Sequence, residues 1–136
     1  MFLGIWLGAC QVQHSVLILD DEERICETLE DYLVDMGHHV VSCGDGAAAL
    51  EALRANNFTL AIVDLRLPGI DGNTFIKQAS LLRPELRYII HTGSLEYASG
   101  NVEQELVGGR IMAVLSKPVE RMQDFSDILD LIGRAK

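Results

Sequence analysis

Five short apolar runs recur along this chain, and between them the apolar residues switch to a helical spacing. The runs are Val16-Leu17-Ile18-Leu19, His39-Val40-Val41-Ser42-Cys43, Thr59 to Asp64, Arg87-Tyr88-Ile89-Ile90-His91 and Ile111-Met112-Ala113-Val114-Leu115. Their length and β-branched content read as strands. Ile25, Leu29, Leu33 and Met36 share one face of the first intervening segment, which Gly37 ends. Ala47, Leu50 and Leu53 point inward from the second, with Asp45 as its N-cap. Phe75, Ile76, Ala79 and Leu82 mark the third, closed by Pro84, and Val119, Met122, Phe125, Leu129 and Ile132 mark the last. Gly100 interrupts the segment between the fourth and fifth strands and Gly108-Gly109 end it, so mobility is expected there. Strand–helix alternation implies a mostly parallel sheet covered on both faces.

The polar residues that close these runs carry the chemistry. Asp64 closes an apolar run and is followed by a loop with Pro68-Gly69 and Asp71-Gly72. A carboxylate at the end of a buried strand is costly without a partner. The first strand ends at Asp20-Asp21, the fourth at Thr92 and the fifth at Lys117-Pro118. Parallel strands bring these ends to one edge, where open α/β sheets bind ligands. Crowded carboxylates repel, so at least one should have a raised pKa. Mg²⁺ suits such an oxygen-rich cluster. A carboxylate beside a cation, an ammonium and a hydroxyl can accept a phosphoryl group and stabilise its charge.

Composition narrows the partners. Eleven basic against twenty acidic side chains give a formal charge of −9, no footprint for nucleic acid or anionic lipid. Cys10, Cys26 and Cys43 form no CxxC pair, which favours a reducing, cytoplasmic setting and core packing of the last two. The apolar stretch at 1–10 lacks a basic n-region and is too short to span a bilayer. Residues 1–14 therefore read as an apolar extension that is flexible or packed on a partner, and 15–136 as the domain.

Asp20-Asp21-Glu22, Asp64 with Pro68-Gly69 and Asp71-Gly72, Thr92-Gly93 and Lys117-Pro118 together resemble the receiver domain of two-component response regulators, including the chemotaxis regulators. The resemblance covers residues 15 to 136. It implies a flavodoxin-like α/β fold, doubly wound, with five parallel strands in the order 2-1-3-4-5. It also implies that Asp64 is the phosphoacceptor and that Asp21, Asp64 and the backbone carbonyl of Arg66 bind Mg²⁺, Asp20 acting mainly through water. Thr92 would hydrogen-bond the phosphoryl group, Lys117 would pair with it, and the Lys117-Pro118 bond would be cis. The donor would be a sensor histidine kinase or phosphotransfer protein. The domain would act as a switch that catalyses its own phosphorylation and dephosphorylation rather than as a turnover enzyme, without nucleic-acid or membrane contact of its own.

Two departures stand out. The family's switch position, three before the lysine and usually aromatic, is Val114. Twenty-five positions separate Thr92 from Lys117, slightly more than is usual. Arg66 and Ser94 occupy the positions that tune phosphoryl lifetime in the family, Gly93 leaves room beside the site, and Tyr97 is a candidate substitute ring. A homodimer through the last two helices is open to this family. No output sequence follows Lys136, which leaves a stand-alone receiver and a piece of a longer regulator both open.

Other readings fit less well. Val114 favours an interaction module that acts without phosphorylation; the acidic pocket disfavours it. An aspartyl-nucleophile phosphatase needs a carboxylate where Arg66 stands. A nucleotide or flavin site needs a glycine-rich cradle, and the first loop is acidic instead. His38-His39 should point to opposite faces, which disfavours a metal site. His91 should face away from Thr92 into packing or an interface. Asp71 suits the start of the third helix.

Overall fold

A computed structural model describes residues 12–93, 110–119 and 121–135. The elements are β1 (Ser15–Leu19), α1 (Glu23–Asp35), β2 (His39–Cys43), α2 (Gly46–Ala55), β3 (Leu60–Val63), α3 (Gly72–Leu82), β4 (Arg87–Thr92), β5 (Ile111–Ser116) and α4 (Gln123–Ala135). Every strand pairing is parallel, in the order β2-β1-β3-β4-β5. This is the doubly wound order expected above. Ser94, Tyr97, Gly100 and Gly108-Gly109 lie outside the described residues, as does the apolar extension up to residue 11.

Burial explains the order. Val16 to Leu19 and Leu60 to Val63 are all buried, so both faces of β1 and β3 are covered and these strands sit centrally. β2 and β5 are only partly buried and form the edges. One core joins Leu17, Leu19, Val63, Tyr88 and Ile90 to Leu50, Leu53, Phe75 and Ile76 of α2 and α3. The other joins Val16, Ile18, Ile62 and Ile89 to Leu29 and Leu33 of α1 and to Phe125 and Leu129 of α4. Each fully buried Leu, Ile or Phe contributes roughly 1.5–3 kcal/mol.

Local signals set the helix ends. Gly37, at φ 97°, takes the left-handed conformation that stops α1. The Asp45 and Asp71 side chains accept hydrogen bonds from the amides of Ala48 (2.8 Å) and Thr74 (2.9 Å), capping α2 and α3. Three residues differ from the sequence reading. Ala47 is exposed and Ala49 is buried, because Ala49, Leu50 and Leu53 form the inward stripe and Ala47 lies on its flank. Leu82 is largely out of the core, at the last position of α3 where the chain turns away, and Met36 is exposed beyond the end of α1.

The β4–β5 ladder slips between Tyr88 and Ile89: Tyr88 pairs with Ile111, but Ile89 pairs with Ala113. One extra residue in β5 therefore changes which face its side chains take. After the slip Val114 lies beside Ile90 and Ser116 beside Thr92.

Candidate functional site

The carboxyl ends of four strands meet as the alternation requires. Asp20 follows β1, its amide donating to the carbonyl of Cys43, and Asp64 follows β3, its amide donating to that of Leu19. Asp20, Asp64 and Thr92 are buried, whereas Asp21 is exposed. The Lys117 amide donates to the carbonyl of Thr92 at 3.0 Å, tying the loop after β5 to the end of β4. The Lys117-Pro118 peptide is cis. Asp21, Glu22, Asp64, Arg66, Thr92, Gly93 and Lys117 line a cleft of about 330 Å³.

One ammonium serves three carboxylates. Lys117 Nζ lies 2.8 Å from Asp20 Oδ2, 2.9 Å from Glu22 Oε1 and 3.0 Å from Asp64 Oδ2. The other oxygens of the two buried carboxylates meet backbone amides. Asp20 Oδ1 accepts from Glu22 N at 2.9 Å, and Asp64 Oδ1 from Arg66 N at 3.3 Å. Glu22 belongs to the acidic run Asp20-Asp21-Glu22, where sequence spacing gives it no partner. Its partner is 95 positions away, and only the fold joins them.

Burial penalises the Lys117 ammonium, but hydrogen bonds to Asp20, Glu22 and Asp64 outweigh it and raise its pKa. The same contact lowers the pKa of Glu22. Asp20 is raised: burial dominates over the hydrogen bonds from Lys117 and the Glu22 amide, and repulsion from Asp64 is a minor cause. The expected raised carboxylate is present, with desolvation rather than crowding as its main origin.

Single ligand oxygens from Asp20, Asp21 and Asp64 lie within 4.8 Å of one another. This is the acidic cluster typical of receiver Mg²⁺ sites, and its hard oxygen donors fit that ion.

Two glycines shape the surroundings differently. A Cβ on Gly72 would stand 2.4 Å from the Asp64 carbonyl oxygen and 2.6 Å from Leu65 Cα, so α3 can start this close to the Asp64 loop only with glycine. A Cβ on Gly93 would meet nothing within 4 Å, in keeping with room beside the cleft. Arg66 is exposed at the rim. Val114 is 36% exposed.

His91 is buried against the Phe125 ring, with centroids 5.3 Å apart, as its predicted orientation away from Thr92 requires. Neither ring nitrogen has a hydrogen-bond partner among the described residues, and burial, aided by Lys117, lowers its pKa to about 4. His38 Nδ1 accepts from the His14 amide at 3.1 Å, while His39 is exposed. No metal-ligating group among the described residues includes them. Cys26 and Cys43 are free thiols raised by burial, Cys26 to about 11, and Cys26 donates to the carbonyl of Asp20 at 3.3 Å. That environment suits packing rather than reactivity.

Residues 16–129 match the family model described as the response regulator receiver domain. The chain belongs to this family. Members signal by phosphorylation within two-component systems. The response regulator FleR of Pseudomonas aeruginosa is 31% identical over 122 residues, covering 88% of this chain and 24% of its own length. The receiver protein CpdR of Brucella abortus is 29% identical over 103 residues, covering 76% of this chain and 83% of its own length. This chain spans about a quarter of the length of FleR and of the transcriptional regulator ZraR of Klebsiella oxytoca. The chemotaxis protein CheY4 of Vibrio cholerae shares the fold at a TM-score of 0.75 and 24% identity, covering 89% of this chain and 99% of that one. A receiver domain from Clostridium thermocellum does so at 0.76 and 23%, covering 90% and 96%. Among the described residues no helix is long and apolar enough to cross a membrane.

Proposed function

We propose that this receiver is a cytoplasmic switch in which Asp64 takes a phosphoryl group from a phosphohistidine on a sensor kinase or phosphotransfer protein. The supporting observation is the contact of Lys117 with Asp64 at 3.0 Å inside a cluster of three carboxylates. An Asp64 carboxylate oxygen attacks phosphorus, the bond from phosphorus to the donor's imidazole nitrogen breaks, and the imidazole leaves with the electron pair. Asp21, Asp64 and the backbone carbonyl of Arg66 would hold Mg²⁺, with Asp20 acting mainly through water, and the ion would supply positive charge against the phosphoryl oxygens. Lys117 pairs with one of those oxygens and the Thr92 hydroxyl donates to another, in a buried setting where such contacts count for more than in water. Water later cleaves the acyl phosphate, at a rate that in this family depends on the residues at the positions of Arg66 and Ser94.

The new charge draws Lys117 and Thr92 toward the phosphoryl group and so loosens Lys117 from Glu22. The two arrangements differ in the loop after β5, and a partner that binds one better shifts the population toward it. Val114 has no ring to swing, so the readout at this position differs from that of aromatic-switch members.

Intact mass after incubation with acetyl phosphate tests this. One added phosphoryl group, dependent on Mg²⁺ and absent in Asp64→Asn, is the expected result. No gain in a folded, Mg²⁺-binding protein would instead favour the phosphorylation-independent interaction module, to which Val114 points.

A further inference from the structure

The opposite end of the sheet carries the reverse charge. A cavity of about 780 Å³ opens at the amino ends of β1, β4 and β5, within the size range of small-molecule sites. Arg83, Arg87 and Arg110 line it, against a single lining carboxylate, Glu85. Three of the chain's eleven basic side chains thus gather in one concavity of a molecule with net charge −9.

Their surroundings differ. The Arg83 guanidinium donates to the Leu53 carbonyl at 3.0 and 2.7 Å and so finishes the end of α2. Among the described residues Arg110 donates only a 3.3 Å bond to the Glu85 carbonyl, and Arg87 makes no side-chain bond. None of the three meets a carboxylate within 4 Å among the described residues, although the chain has twenty.

Register makes this more pointed. Tyr88 pairs with Ile111, and its amide donates to the Arg110 carbonyl at 3.0 Å; continued one residue back, this register sets Arg87 opposite Arg110. Residues opposite in register share a face, and like charges there are destabilising. An oxyanion between two guanidinium forks removes that repulsion and matches their geometry. Phe58 and Pro84 add an apolar wall, and Asn57 and Thr59 add polar groups.

We propose that this cavity binds a small, multiply charged organic oxyanion, a phosphate ester or a polycarboxylate, between Arg87 and Arg110. Its concave, partly apolar shape suits a compact ligand. The site is independent of phosphorylation at Asp64. A bound anion would bridge the starts of β4 and β5, whose other ends carry Thr92 and lead to Lys117.

Titration of the Mg²⁺-free protein with inorganic pyrophosphate and with citrate, followed by backbone amide NMR shifts, tests the site. Saturable one-to-one binding is expected, with shifts centred on Thr59, Leu86 to Tyr88 and Ile111. Arg87→Gln and Arg110→Gln should each weaken it by at least about tenfold. Arg87→Lys, which keeps the charge and loses the fork, should weaken it less. Arg121→Gln, remote from the cavity, should leave it unchanged, and each variant's amide spectrum reports its folding. No saturable shift, shifts centred on Thr92 and Lys117, or an equal loss in Arg121→Gln would overturn the proposal. So would binding of a polyglutamate peptide but of neither small anion.

Discussion

The two ends of the sheet solve opposite electrostatic problems with the same strands. At the carboxyl end, carboxylates outnumber cations, and among the described residues Lys117 alone contacts Asp20, Glu22 and Asp64. At the amino end, cations outnumber carboxylates, and Arg87 and Arg110 stand side by side without an ion pair among the described residues. The first end is tied together tightly enough that removing one member disturbs the rest. At the second, among the described residues, Arg83 finishes the end of α2 with two short bonds and Arg110 makes one longer bond to the Glu85 carbonyl. A parallel sheet collects one end of every strand at each edge, so charge placed at strand ends concentrates there.

The contrast can be broken most severely at Lys117. Lys117→Met leaves buried Asp20 and Asp64 without their cation, and a loss of about 3–5 kcal/mol in chemical denaturation is expected. Mg²⁺ titration of the same variant should show tighter binding, because the ammonium no longer competes for the carboxylates. Unchanged stability would mean that the cluster does not depend on Lys117. Gly72→Ala should cost about 1–3 kcal/mol, since the new Cβ meets backbone rather than a movable side chain. Amide shifts in that variant should concentrate around Asp64 and Leu65.

Arg83→Ala should cost about 1–3 kcal/mol by exposing the end of α2, whereas Arg87→Gln should be neutral or slightly stabilising without added anion. Equal costs for the two would erase the distinction drawn within the amino-terminal edge. His91 gives the most condition-dependent effect. Burial lowers its pKa from 6.5 to about 4, so between those values the unfolded chain binds more protons than the native one. Stability is complete above 6.5 and is lost as the pH falls toward 4. His91→Leu removes this component: its stability change from pH 7 to pH 5 should be smaller than that of the wild type by about 2 kcal/mol. Parallel pH curves for the two proteins would refute the assignment.

Much of this was legible in the chain. Val16 to Leu19 and Leu60 to Val63 are apolar because both faces are covered, so their being buried strands is legible in the chain, whereas the strand order came with the family resemblance. Asp20, Asp64, Thr92 and Lys117 converge because each closes a parallel strand. Other features depend on tertiary distances that spacing does not encode. The reach of Glu22 to Lys117, the close approach that requires Gly72 and the adjacency of Arg87 and Arg110 are of this kind. The slip in β5 also escaped, because period-two alternation assumes an unbroken ladder, and this slip decides that Val114 lies beside Ile90. At Ala47 and Leu82 the apolar residue is at the flank or the end of its helix, where helical spacing overstates burial.

The most direct test of the central claim is to locate the modification. Borohydride reduction of protein treated with acetyl phosphate and Mg²⁺ converts an aspartyl phosphate to homoserine, which tandem mass spectrometry reads at a single residue. The account predicts homoserine at position 64, dependent on donor and Mg²⁺, with Asp20 and Asp21 unchanged. Modification at Asp20, Asp21 or a histidine, with Asp64 intact, would contradict it.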